Sequence, residues 1–389
     1  MKRERVALIL GVVFLVGLFF AFQVWGADVA KIGLTAGLSG GQAQYGKNVL
    51  DGMNLAAEEI NAKGGITVAG KKYKIELVIL DDQYKPDLTA QNARRMSSLD
   101  KVPAINCPHA GGTFAMMSFN EKEGFLIISG TTDPGVVNKG NKLVVRTPSD
   151  TRLYVRYFLD KAVELGVKKM AALPGVNEYS KTWMELFKEE WAKRKGLITD
   201  VSVADYSKET DFYTHLTKLI AGKPDAILLI GPSEPCGLIV KQSRELGFKG
   251  KFVMAEQSKM DEMLKVTTMD KMEGVIGATP FAMRPVKDSQ AFISIFKKRF
   301  PEKVVTYEAA AGYEGVYFPA RAMEIAGTVS DALKIRAAFP KLFPLDKQGL
   351  IGPTGVVGIR DNGAYLRVTF GSDVVGGKFA KPFEIRDRD

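Results

Sequence analysis

Cysteine and histidine are nearly missing: Cys107 and Cys236, His109 and His215 are all that 389 residues contain. A zinc site takes three or four such ligands at short spacing, which this set does not readily supply, so no metal is expected. In an oxidising compartment the two cysteines could pair with each other. They fall in different halves of the pattern described below, and two free, half-buried thiols are expected. No Gly-x-Ser-x-Gly turn is present and neither histidine stands in a triad context, which disfavours an exported α/β hydrolase. Past residue 27 no apolar run approaches the roughly 20 residues needed to cross a bilayer. The formal charge is +10, yet no basic run is interleaved with aromatics, so nucleic acid is not an expected partner.

What is present begins with Lys2, Arg3 and Arg5, followed by an apolar run from Val6 to Phe22 and small residues at Gly26 and Ala27. Basic flank, apolar core and small-residue end are the pattern of a secretory signal over residues 1–26, with cleavage after Gly26; the competing reading is an uncleaved anchor. Export to a periplasmic or extracellular location is expected either way. Losing this segment removes three cations and Glu4 and leaves a charge of +8. About 360 residues then remain, long for one core and suited to two domains.

Residues 31–65 set the pattern. An apolar strand (31–37), the small residues Ser39, Gly40 and Gly41, and apolar positions Val49, Met53, Ala56, Ala57 and Ile60 at helical spacing give strand, glycine turn and helix, stopped by Gly64-Gly65. A helix start of this kind attracts anions. Gly41 to Lys47 matches a phosphate-cradling loop until Asn48, where a Ser or Thr is required to hold magnesium, and no cofactor is implied. Strands follow at 73–80, 102–106 and 125–129, with helices from Pro86 to Leu99 and over 113–123. After Arg152 the alternation starts again: strands at 169–173, 197–203, 226–230 and 252–255, separated by helices over 181–195, 212–221 and 235–246. Such alternation means a parallel sheet with helices on both faces, and two similar blocks mean two lobes. Periodicity is lost at residues 146–150 and 278–285, the expected crossings between lobes, with a third crossing among the late glycines. The expected lobes are 27–149 with 282–360, and 150–281 with 361–389. Paired lobes joined by several extended strands close on ligands.

Ligands collect beyond the carboxyl ends of parallel strands. Those ends hold small residues in the first block, where Ala110, Gly111, Gly112, Thr131 and Thr132 offer amides and hydroxyls to an anion, and larger polar ones in the second, where Glu256 meets a cation. His109 is read either as a direct ligand contact or as a loop residue facing solvent. Asp81-Asp82 is read as capping or amide-binding acid. Trp183, Phe187 and Trp191, four apart on one helical face, are read as core.

The runs AQYGKNVLDGMNLAAEEINAKGGI, HAGGTFAM, EGFLIISGTTD, NEYSKTWMELF and VMAEQ resemble the periplasmic leucine, isoleucine and valine binding protein family, the type I solute receptors of ABC transporters. The resemblance covers essentially the whole chain after the signal. It implies a periplasmic binding protein type I fold, α/β, with two doubly wound parallel-sheet lobes and a multi-strand hinge. It also implies an amino acid or related carboxylate in the interlobe cleft, a permease and an ATPase as partners, and a monomer without catalytic activity. In that family the ligand carboxylate lies on the loop matching Ala110, Gly111 and Gly112 and the turn matching Thr131, Thr132 and Asp133. The ammonium lies on the residue matching Glu256 and a carbonyl of the Gly130–Thr131 turn, with Tyr45 and Tyr179 matching aromatic walls. Three positions depart: Ala110 stands where a serine is frequent, His109 and Tyr84 stand where a disulfide is found, and Pro232 stands where a tyrosine is found. Aromatic acids and amides are therefore alternative ligands within the same fold. A membrane-tethered sensory ectodomain, which requires the uncleaved anchor, is the alternative of another class.

Overall fold

The structure is a computed structural model, which describes residues 28–386. The expected signal segment lies outside the described residues. None of the described helices is long and apolar enough to cross a membrane.

Two sheets organise the chain. The first contains β1 (Val29–Ala36), β2 (Ile66–Val68), β3 (Lys71–Asp81), β4 (Ala104–Cys107), β5 (Leu126–Ser129) and β6 (Val144–Arg146), in the order β2-β3-β1-β4-β5-β6. The second contains β7 (Lys169–Pro174), β8 (Leu197–Val201), β9 (Ala226–Ile230), β10 (Lys251–Met254) and β11 (Val275–Ala278), parallel in the order β8-β7-β9-β10-β11. Leaving the edge strand β2 aside, the orders β3-β1-β4-β5-β6 and β8-β7-β9-β10-β11 correspond, and both sheets step outward from their first strand in the same way. Each therefore has its topological switch point beside that strand, where loops diverge and leave a crevice. Central strands such as Ala226–Ile230 and Ala104–Cys107 are buried at every residue. That follows from helices covering both faces and explains their continuous apolar runs.

The helices follow the sequence spacing. In the first lobe α1 (Ala43–Ala62), α2 (Pro86–Ser98) and α3 (Ala110–Met117) cover the sheet. In the second the helices are α4 (Thr151–Glu164), α5 (Glu178–Lys193), α6 (Tyr213–Ala221) and α7 (Ser233–Glu245). The chain then returns to the first lobe as α8 (Lys287–Arg299), α9 (Tyr307–Ala326), α10 (Ala332–Ala338) and the antiparallel pair β12 (Val356–Ile359) and β13 (Tyr365–Arg367). Starts are capped by side chains that accept orphan amides: Asp150 from Arg152, Asn177 from Ser180 and Thr306 from Ala309. α1 and α9 lie against each other through glycine. A β-carbon on Gly52 would stand 1.8 Å from the Ala309 carbonyl oxygen, and one on Gly312 would stand 2.1 Å from that of Val49.

Two expectations need correction. The helix expected over 113–123 is α3 followed by a separate turn, Asn120–Glu123. The break comes because Asn120 turns inward to donate to the Phe125 and Leu143 carbonyls. The third crossing comes later than residue 361. Tyr365 packs in the core of the first lobe beside Phe318 and Phe343, and the chain passes over only between Arg367 and β14 (Thr369–Val375). β14 joins the second sheet antiparallel to β11 and is followed by β15 (Lys378–Phe379) and β16 (Phe383–Ile385). The three crossings fall at 146–151, 278–281 and 367–369; the second and third lie side by side, Thr279 donating its amide to the Phe370 carbonyl, while Arg146 at the first donates its amide to the Gly363 carbonyl.

Candidate functional site

The lobes meet over a cavity of about 570 Å³, counting the space at its mouth. Its wall takes Tyr45, Gly130 and Thr132 from the first lobe, Glu256, Gln257, Lys259 and Asp261 from the loop after β10, and Tyr307 and Glu308 from the start of α9. Its hinge end takes Thr279, Phe281, Arg284, Thr369 and Phe370 from two of the crossings.

Glu256 is the best-anchored group. Its Oε2 accepts from the Trp183 indole N–H at 2.8 Å, and its Oε1 accepts from the Thr132 hydroxyl at 3.1 Å across the cleft. The Tyr179 hydroxyl behind it favours the charged form. Burial pushes its carboxyl above the ordinary carboxylate range, against the pull of Lys259 and these donors. Lys259, 8% exposed, pairs with Glu308 Oε1 at 2.8 Å and donates to the Glu256 carbonyl. Burial works against its charge, but Glu308 and Glu256 together outweigh burial and hold the ammonium above its usual pKa. Asp261 is pushed up to about 6 by burial and by Glu262 beside it.

Further contacts hold the lobes together. Thr182 donates to Asp133 Oδ2 at 2.6 Å, Asn48 donates to Glu262 Oε1 at 2.9 Å, and Lys259 and Thr132 bridge as above. The conformation is therefore closed.

Of the residues singled out by sequence, Tyr45, Gly130, Thr132 and Glu256 border the cavity. Tyr179 stands behind it, its hydroxyl accepting from the Gln257 amide at 3.3 Å. Thr131 accepts from the Asp133 amide, and Asp133 serves as a lobe clasp through Thr182. Ala110, Gly111 and Gly112 do not border it. Gly111 packs on Pro86, and the Gly112 amide is spent on His109 Nδ1 at 3.1 Å.

His109 is neither a cavity residue nor solvent-facing. It is 2% exposed, its Nε2 lies 3.0 Å from Asp82 Oδ2, and its ring stacks on Tyr84 with centroids 4.4 Å apart. An Nδ1 that accepts an amide proton leaves Nε2–H to donate to Asp82. Asp82 also accepts from Thr35, Thr89 and the Tyr84 amide, and Asp81 accepts from the Leu38 and Gln83 amides, as expected of amide-binding acids. Asp82, Cys107 and His109 bring their ligand atoms within 4.8 Å of one another. The sequence spacing did not show that grouping. Because hydrogen bonds already occupy the lone pairs of Asp82 and His109, the group is a buried polar network that ties the loop before α3 to the loop before α2. Both cysteines are free and fully buried rather than half-buried.

The sequence reading missed Lys259, Glu308, Tyr307, Arg284 and Thr279. Arg284 and Thr279 lie in a segment already marked as a crossing, so the signal available was position at the hinge. Trp183 was read as core, which its ring is; its N–H reaches the site.

Comparison with known proteins agrees with this architecture. A family model described as Periplasmic binding protein matches residues 29–367. A leucine-, isoleucine-, valine-, threonine- and alanine-binding protein of Pseudomonas aeruginosa is 25% identical over 354 residues, 88% of this chain and 89% of that protein. Among solved structures, a leucine binding protein of Thermotoga maritima superposes with a TM-score of 0.79 at 24% identity, over 92% of this chain and 99% of that one. A solute binding protein of an ABC transporter from Rhodopseudomonas palustris, in complex with 3,4-dihydroxy benzoic acid, gives 0.77 at 24%, over 92% and 98%. These two likenesses speak for the fold.

Proposed function

Since the chain belongs to the periplasmic binding protein family, we propose that it is the extracytoplasmic solute receptor of an ABC importer. It captures a small amino acid, branched-chain-like, or a related carboxylate between its lobes and passes it to permease and ATPase subunits. The observation that carries this reading is Glu256, buried in the cavity wall and bonded to donors from both lobes.

A carboxylate offers about four acceptor sites. Trp183 and Thr132 take two of them, which leaves two for solute donors such as an ammonium. The main chain at Gly130 and the Thr132 side chain supply the facing side. Micromolar capture needs about 8 kcal/mol, and hydrogen bonds to charged groups give roughly 1.5–3 kcal/mol each. A few such bonds in a closed cavity suffice, so no covalent step is required. The Rhodopseudomonas relative's aromatic acid gives a second reading, favoured by the rings of Tyr154, Phe281, Tyr307 and Phe370 in the wall.

A thermal-shift screen of amino acids and aromatic acids tests both. Ligand at a hundred times its Kd stabilises by about 2.7 kcal/mol, a rise of several degrees. No member of either class raising Tm, or turnover of a bound compound in a product assay, overturns the receptor reading. N-terminal sequencing of the exported protein tests cleavage after Gly26.

A further inference from the structure

The hinge end of the cavity holds polar groups that the protein itself does not satisfy. Arg284 is 3% exposed and borders the cavity, clamped between the rings of Phe281 and Phe370. One end of its guanidinium donates to the Thr354 and Val368 carbonyls at 2.8 and 3.0 Å, while its Nε has no partner. Thr279, also bordering the cavity and 6% exposed, has an unpartnered hydroxyl. Behind them Arg367, 8% exposed, donates to the Tyr307 hydroxyl and leaves Nε and Nη2 unpartnered. Neither arginine pairs with a carboxylate among the described residues. The acid close enough to act on both is Glu314, whose oxygens are engaged by the Thr354 amide and hydroxyl. Two buried guanidiniums against one carboxylate leave a net positive charge away from water, an arrangement that costs stability unless an anion completes it. The Lys259–Glu308 pair is neutral by itself and does not serve.

We propose that Arg284 and Thr279 form an anion subsite at the hinge end of the cavity, and that the natural solute carries a carboxylate there in addition to the group that faces Glu256 and Thr132. The inference rests on the receptor reading above and narrows its ligand to an acidic solute. A purely aliphatic amino acid leaves the subsite empty. With Nη2 spent on the two carbonyls, the free Nε–H offers a carboxylate one charge-assisted hydrogen bond and the Thr279 hydroxyl offers another.

The test is calorimetric titration of the full exported protein, unfolded and refolded to release carried-over solute, with two matched pairs: L-glutamate against L-norvaline, and succinate against butyrate. The acidic member of at least one pair is expected to bind tenfold or more tightly than its partner. Arg284→Met abolishes that preference, Thr279→Val reduces it about threefold, and Arg284→Lys retains part of it. Circular dichroism establishes that each variant is folded, and the threonine variant reads the subsite should the methionine one fail to fold. Mass spectrometry of solute released from the purified protein is expected to show a compound with an acidic group beyond the first. Equal affinity within both pairs, or a released solute lacking that group, overturns the subsite and leaves the receptor reading intact. If no member of either pair binds and no solute is released, both are overturned.

Discussion

The two ends of the cavity are built on opposite plans. At the Glu256 end the charge has its donors in place before any solute arrives: an indole and a hydroxyl from the facing lobe. At the hinge end Arg284 Nε and the Thr279 hydroxyl have none. A satisfied polar group stabilises the closed shell, whereas an unsatisfied one stores a cost that only a ligand repays. The first end therefore maintains the site, and the second discriminates among its occupants.

The contrast is broken most sharply by Glu256→Ala. Calorimetry is expected to show affinity for a solute with an ammonium falling at least about a hundredfold, since truncating one partner of a buried charged pair costs about 3–5 kcal/mol. The unliganded protein should lose stability too, because Trp183 Nε1 and the Thr132 hydroxyl are stranded. Unchanged affinity shows that the solute carries no ammonium. Trp183→Phe removes one donor and keeps most of the ring volume, and a loss near tenfold is expected, about 1.4 kcal/mol.

Arg284→Met sharpens the comparison from the other side. In denaturant titrations the unliganded variant is expected to match the parent or to exceed it by about 1 kcal/mol, since replacing a buried unpaired charge by an apolar chain removes a penalty. A loss as large as that of Glu256→Ala makes the two ends alike and removes the distinction.

Acid separates them again. Burial raises the Glu256 carboxyl, so the folded state holds this proton more tightly than the unfolded chain does. Stability from this group is greatest below the ordinary carboxylate pKa and is lost as pH rises toward the folded value. Binding runs the other way, because protonated Glu256 cannot pair with an ammonium. Affinity measured against pH should therefore decline at a pH above the usual carboxylate range, and a decline confined to that range places the control elsewhere. The smallest effect on affinity belongs to His109→Ala. It removes the Asp82 and Tyr84 contacts and destabilises by about 2–4 kcal/mol, yet leaves the folded fraction's Kd within about twofold, because the ring lies outside the cavity.

This division also explains what the chain made legible beforehand. Gly130, Thr132 and Glu256 were found because buried parallel strands are continuous apolar runs, and the residue that ends such a run is placed by the sheet itself. Arg284, Thr279 and Tyr307 come from crossings and a distant helix start, where no period exists and only lobe closure decides which way a side chain faces. His109 was misplaced for a related reason. Its partners Thr89 and Asp82 lie 20 and 27 residues away, and a strand-end loop gives no sign that a polar side chain will be drawn inward. Trp183 shows the limit of stripe reading: spacing identifies the buried face of α5, but not that an indole nitrogen at its edge meets a carboxylate 73 residues on.

The glycine seam between α1 and α9 fixes more than a helix crossing. Tyr45 sits on one of these helices and Tyr307 on the other, and both line the cavity. With carbonyl oxygens occupying the space of the missing methyl groups, the two rods cannot slide past each other. The spacing of the two rings is therefore set inside the first lobe. On the receptor reading proposed above, they form a caliper of fixed width against which the girth of an incoming molecule is gauged.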